Sequence, residues 1–149
     1  MDDRRRLQSL ELVRRIRSHL RTEESAKLRA AAELERAEDA ERQARYVRLD
    51  DALNAWALHV QSARPAPELI HDLGRVVLAR QAELERQADL TLRARRKTAV
   101  QRELLAAKDA QLKQIDAAVK RARRRCLRIA EERALRVAEE RFTQRGYLK

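Results

Sequence analysis

The run Arg64-Pro65-Ala66-Pro67 holds the only two prolines in a chain of 149 residues. Proline fixes its own φ, lacks an amide hydrogen and drives the residue before it out of the α region, so Arg64 and Ala66 are both directed to extended geometry. On either side the chain reads as helix, over about residues 4–62 before a bend at 63–66 and about 67–143 after it. One interruption between two long helices makes the fold class all-α. The arms are expected to fold back as an antiparallel coiled-coil hairpin, a single domain over 1–149 with a C-terminal helical overhang.

Composition favours this over a globule. Charged residues make up 40%, aromatics 3%, and there are two glycines. Chains rich in Ala, Glu, Lys, Leu and Arg with helical periodicity form coiled coils or long helices. The large apolar residues are too few to fill a compact core, which confines burial to a seam. A net charge of +11 and a mean hydropathy of -0.74 would also suit disorder. The apolar residues are periodic, however, and intrinsic propensity favours helix almost throughout.

The second helix carries the cleaner pattern. Pro67 suits its first position and Glu68 its first turn. One seam line reads Ile70, Val77, Leu84, Thr91, Thr98, Leu105, Leu112, Val119, Cys126, and the other Leu73, Arg80, Gln87, Ala94, Gln101, Lys108, Ile115, Ala122, Ile129. The repeat passes through Gly74 undisturbed, so the helix is expected to continue there despite a cost of about 1 kcal/mol. The first helix is less regular. Its apolar residues run Leu7, Leu10, Val13, Ile16, Leu20, thin out, resume at Leu28, Ala31 and Leu34, and shift to Leu49, Leu53, Trp56 and Val60. That pattern implies a drifting seam with local changes of supercoil.

Folding about the prolines sets Ile129 opposite the N-terminus, so the seam stops where the partner helix runs out. Beyond it lies the overhang, with Leu135, Val137, Ala138 and Phe142 and a stop at Gly146. The middle of the seam, Arg80 to Gln101 facing Ala31 to Asp50, is polar on one side and small on the other; weak packing and mobility are expected there. The competing arrangement is a homodimeric or trimeric coil.

Little in the sequence points to catalysis. His19, His59 and His71 lie far apart and Cys126 sits alone on the seam, so neither a metal site, a cofactor nor a disulfide is expected. There is no Gly-rich phosphate loop, G-x-S-x-G or H-E-x-x-H, and paired helices offer no deep pocket. The expectation is a protein that is not an enzyme. No apolar run of about 18 residues exists to span a membrane, and the N-terminus lacks the features of a secretory signal. A cytoplasmic location follows as the expectation.

Charge is more informative. Arg4, Arg5, Arg6, Arg14 and Arg15 crowd the start of the first helix, and Arg121, Arg123, Arg124, Arg125 and Arg128 crowd the later part of the second. Folding back would bring both groups to one tip, whereas Asp50, Asp51, Glu68 and Asp72 collect near the bend. A cationic tip is either a solvated face or a docking surface for an anionic partner, nucleic-acid phosphate or acidic protein. Tyr46, Leu49, Leu53 and Trp56 form a stripe that Leu69, Leu73 and Val76 can face. This group either pins the corner or serves as an interface anchor.

In its length, its single bend, its two-helix pattern and its charged, aromatic-poor composition, the chain resembles the FliJ/YscO/HrpO family of type III secretion systems. The resemblance covers the whole chain as a pattern and not through one diagnostic motif. It implies a monomeric, non-catalytic central stalk, cytoplasmic and peripheral to the inner-membrane secretion apparatus, that links a hexameric secretion ATPase to the export gate and binds export chaperones. On this sequence the ATPase-facing residues would be Arg4, Arg5, Arg6, Arg14, Arg15, Arg121, Arg123, Arg124, Arg125 and Arg128, with the overhang through Phe142. The surface facing the cytoplasmic domain of the export-gate protein would be Tyr46, Leu49, Leu53, Trp56, Leu69, Leu73 and Val76. The stripe is poorer in aromatics than the family's, and the C-terminal end carries fewer acidic residues than in some members; the non-flagellar branch fits better. The alternative is a nucleic-acid-binding basic coiled coil using the same arginines. Against it, those arginines interleave with Glu131, Glu132, Glu139 and Glu140, and no aromatic stacking platform lies near them.

Overall fold

The computed structural model describes residues 2–146, and these form two helices with no strand. Helix α1 spans Asp2–Val60 and helix α2 spans Pro67–Gly146. The end of α1 is set by Ser62, whose amide and hydroxyl both donate to the His59 carbonyl, at 3.3 and 2.9 Å. This i→i+3 closure halts the helix at Val60, short of the expected residue 62. Helix α2 opens on Pro67, whose missing amide hydrogen costs nothing at a first helical position. The first backbone bond runs from the Ile70 amide to the Ala66 carbonyl, at 3.0 Å. The helix runs unbroken through Gly74, where the Trp56 indole nitrogen lies 3.5 Å from the point a Cβ would occupy.

The contacts gather into two units, Met1–Glu23 with Leu105–Lys149, and Glu24–Leu104. In the first, Cys126 contacts Asp3, Arg123 contacts Glu11, Arg14 contacts Asp116 and Arg21 contacts Asp109. In the second, Thr98 contacts Ala31, Thr91 and Gln87 contact Glu38, and Arg45 contacts the Glu83 carbonyl. Within each unit the α2 partner's number falls as the α1 number rises.

Every residue on both seven-residue lines of α2, Ile70 to Cys126 and Leu73 to Ile129, is buried or half-buried. From Ala130 to Thr143 every side chain is exposed. On α1 the structure corrects the drifting seam. An unbroken heptad line, Asp3, Leu10, Arg17, Glu24, Ala31, Glu38, Arg45 and Ala52, contains no exposed residue. Several apolar residues of that pattern, among them Ile16, Leu34 and Leu53, are exposed. The packing period is imposed by α2, whose repeat is regular, so α1 places acidic and basic residues on the seam and leaves apolar ones outside.

The middle of the seam is the second correction. The expected weak stretch holds the deepest burial among the described residues: Gln87, Thr91 and Thr98 at 1–2% exposure, with Ala31 and Ala94 beside them. The alanines admit close approach, which brings the polar side chains of α2 within reach of the α1 backbone. Gln87 Nε2 and Thr91 Oγ1 donate to the Glu38 carbonyl at 3.2 and 3.3 Å, and Gln87 also donates to the Glu38 carboxylate. The Thr98 hydroxyl lies 3.2 Å from the Ala31 carbonyl and 3.1 Å from that of Ala94. Buried polar groups with partners cost little, whereas the same groups unpaired cost about 1–3 kcal/mol each.

Candidate functional site

The cationic surface of the first unit is built by the two segments that this unit pairs. Asp3 bonds Arg125 at 3.4 Å, Glu11 bonds Arg123 at 2.6 Å, and Asp116 bonds Arg14 at 2.6 Å. These pairs are largely solvent-exposed, so each is worth no more than about 1 kcal/mol. They divide the arginines singled out in the sequence. Arg14, Arg123 and Arg125 are engaged across the seam. The side chains of Arg4, Arg5, Arg6, Arg15, Arg121, Arg124 and Arg128 are exposed and make no ion pair or hydrogen bond with another described residue.

Two grooves run through this surface. One, of about 620 Å³, is lined by Asp3, Arg4, Arg5, Cys126, Ile129 and Arg133. The other, of about 550 Å³, is lined by Arg121, Arg124, Arg125, Arg128, Ile129 and Glu132. Arg121, Arg124, Arg125 and Arg128 follow i, i+3, i+4, i+7 spacing and therefore share one face of α2. The Cys126 thiol lies 3.6 Å from the Asp3 carbonyl. Phe142, placed with this surface in the sequence, is 79% exposed. No group of three or more His, Cys, Asp or Glu able to hold a metal occurs among the described residues.

The apolar surface lies in the second unit. Leu53 and Trp56 line a groove of about 460 Å³ with Ile70, His71, Gly74, Val77 and Leu78. Leu49 and Leu73 are half-buried, and Tyr46 is exposed. Leu69 and Val76 are exposed too, but they do not line this groove. Ile70 and Val77, one residue further round α2, take that place, because they sit on the seam line and the other two lie about 100° away. The heptad already written in the sequence is the signal that would have identified them.

Beside this region Arg80 donates to the Glu83 carboxylate at 2.9 Å. That hydrogen bond, helped by the fields of Arg80, Arg45 and Arg48 and opposed by desolvation, holds Glu83 below the usual carboxylate range.

Compared with protein families, with curated proteins and with solved structures, the chain matches none. No helix among the described residues is long and apolar enough to cross a membrane.

Proposed function

We propose that this chain is a non-catalytic stalk and coupling subunit of a type III secretion ATPase complex. In this reading α1 and α2 form one antiparallel coiled-coil hairpin with a C-terminal helical overhang, working in the cytoplasm against the inner-membrane apparatus. The first unit docks on the hexameric secretion ATPase, and the stripe around Trp56 meets the cytoplasmic domain of the export gate. Export chaperones are a further class of partner. The observation that carries the reading is that seven arginines of the first unit make no ion pair with another described residue, next to a stretch of α2, residues 130–143, in which every side chain is exposed. Arginines without internal partners can turn to an acidic surface without first breaking a pair, and such charges raise both the rate and the selectivity of association. The pattern resemblance supplies the identity of that acidic surface.

The test is binding of the full chain to a purified secretion ATPase. Reversing Arg121, Arg124 and Arg128 to Glu together is expected to weaken binding at least about 100-fold, since truncating or reversing charges at such contacts costs about 1–3 kcal/mol each. The helical circular dichroism should be unchanged, because none of the three makes an ion pair or hydrogen bond with another described residue. Unimpaired binding by the triple variant, or no binding by the parent chain, overturns the proposal.

A further inference from the structure

The two flanks of the seam in the first unit are not alike. On one flank of α2 lie Arg123, Asp116 and Asp109, seven residues apart and each one past a seam residue. All three are bridged to α1: Arg123 to Glu11, Asp116 to Arg14 and Asp109 to Arg21, each at 2.6 Å. On the other flank lie Arg125, Ala118 and Gln111, each one short of a seam residue. Here α1 offers one carboxylate, Asp3, which lies 3.4 Å from Arg125. Arg17 reaches only the amide oxygen of Gln111, at 2.5 Å.

Unmatched arginines collect on this second flank. Arg6 shares a further groove, of about 390 Å³, with Leu10, Ala118, Arg121 and Arg125. Arg121 and Arg125 also line the groove that holds Arg128. Arg6, Arg121 and Arg128 make no ion pair with another described residue. The same flank carries exposed apolar surface. Val13 follows Arg6 by one heptad and Ile16 lies about one turn further on; they are 38% and 52% exposed.

We propose that this flank binds an acidic amphipathic helix of the partner, laid along the groove as a third helix beside α1 and α2. The inference rests on the coupling reading, which makes the secretion ATPase the source of that helix. Its carboxylates give Arg6, Arg121 and Arg128 the charge-assisted pairing that the opposite flank already has within the chain. Its apolar stripe covers Val13 and Ile16. Two needs select this occupant: the arginines call for anions, and the apolar pair beside them calls for hydrocarbon. A helix presents both, on residues three and four apart. The phosphate backbone of a nucleic acid would answer the arginines and leave Val13 and Ile16 uncovered.

The experiment compares two double variants of the full chain for binding to a purified secretion ATPase. Arg6→Glu with Ile16→Glu alters the unmatched flank. Lys113→Glu with Leu12→Glu makes the same change of charge at exposed positions on the bridged side. The first is expected to weaken binding at least about 100-fold and the second less than about threefold. An unchanged thermal midpoint of each confirms that the fold is intact. If the parent chain does not bind the ATPase, the coupling reading fails and this inference with it. If the parent binds and both double variants are weakened equally, the third-helix assignment fails alone. Arg6→Lys and Arg121→Lys, made separately, keep the charge and add an amine that a carbodiimide joins to a carboxylate in contact. Both are expected to join carboxylates on one helix of the ATPase, and joins to separate elements overturn the proposal. The chain alone should sediment at 17.4 kDa. A dimer abolished by Arg6→Glu with Ile16→Glu would give the flank to a second copy and overturn it as well, as would duplex DNA bound more tightly than the ATPase and lost with the same variant.

Discussion

The two units solve the same packing problem with opposite chemistry. In the first, large apolar residues fill most of the seam: Leu7, Leu10, Leu112, Ile115 and Val119 lie along it beside the half-buried Asp3, Arg17 and Lys108, with Val119 at 4% exposure. Exposed ion pairs flank it. In the second, the seam centre is Gln87, Thr91, Ala94 and Thr98 against Ala31 and Glu38, and it is the more deeply buried of the two. Small residues permit close approach, and close approach lets a hydroxyl or amide reach a backbone carbonyl of the other helix. The same packing logic, small residues with short polar side chains, joins helices where no water is available. Polarity read along a seam therefore does not report weakness; the sizes of the facing residues decide.

That contrast can be broken most severely at Gln87. Gln87→Ala removes a buried side chain and leaves the Glu38 carboxylate without its amide donor, and should cost about 2–4 kcal/mol in urea unfolding. If the middle of the seam were loose, the cost would be near zero. Thr98→Val keeps the shape and removes only the hydroxyl, so about 1 kcal/mol is expected, insensitive to salt because the group is buried. The first unit should behave differently. Asp116→Asn breaks the exposed pair with Arg14 and should cost about 0.5 kcal/mol at low ionic strength, falling towards nothing in about 1 M salt, where the Debye length is about 3 Å.

The smallest expected effect is a pH dependence at Glu83. Its folded-state titration is lowered by Arg80, so the stabilisation is present above its unfolded value and is lost as pH falls through the lower folded one. The thermal midpoint of the parent chain should therefore drop slightly more than that of Glu83→Gln on acidification below the ordinary carboxylate range. Equal drops would show that the Arg80 contact contributes nothing.

How much of this was legible depended on which helix was read. Both lines of α2 could be written from sequence because one clean repeat runs through Thr, Gln and Lys as well as Leu and Ile. The line on α1 could not, because following apolar residues leads to Ile16, Leu34 and Leu53, which the structure leaves exposed. Asp3, Arg17, Glu24, Glu38 and Arg45 hold seam positions instead, and nothing local marks a charged residue as a seam residue. Only the partner's period does. Among the docking candidates, the exposed arginines were evident from composition. Which of them are already paired depends on contacts about a hundred residues apart in sequence, as between Arg123 and Glu11. Two oxygens, Glu24 Oε2 and Gln101 Oε1, are buried without a hydrogen-bond partner among the described residues, and no sequence pattern pointed to them.

The account holds that the polar centre of the second unit is the anchor of the molecule and that the cationic surface of the first is kept for a partner. Hydrogen exchange along the full chain, alone and with a secretion ATPase, tests both halves together. Slowest exchange is predicted at residues 31–38 and 87–98 in both states, with new protection on binding confined to 4–15 and 121–143. Fast exchange at 87–98, or protection that appears away from the arginines, would contradict it.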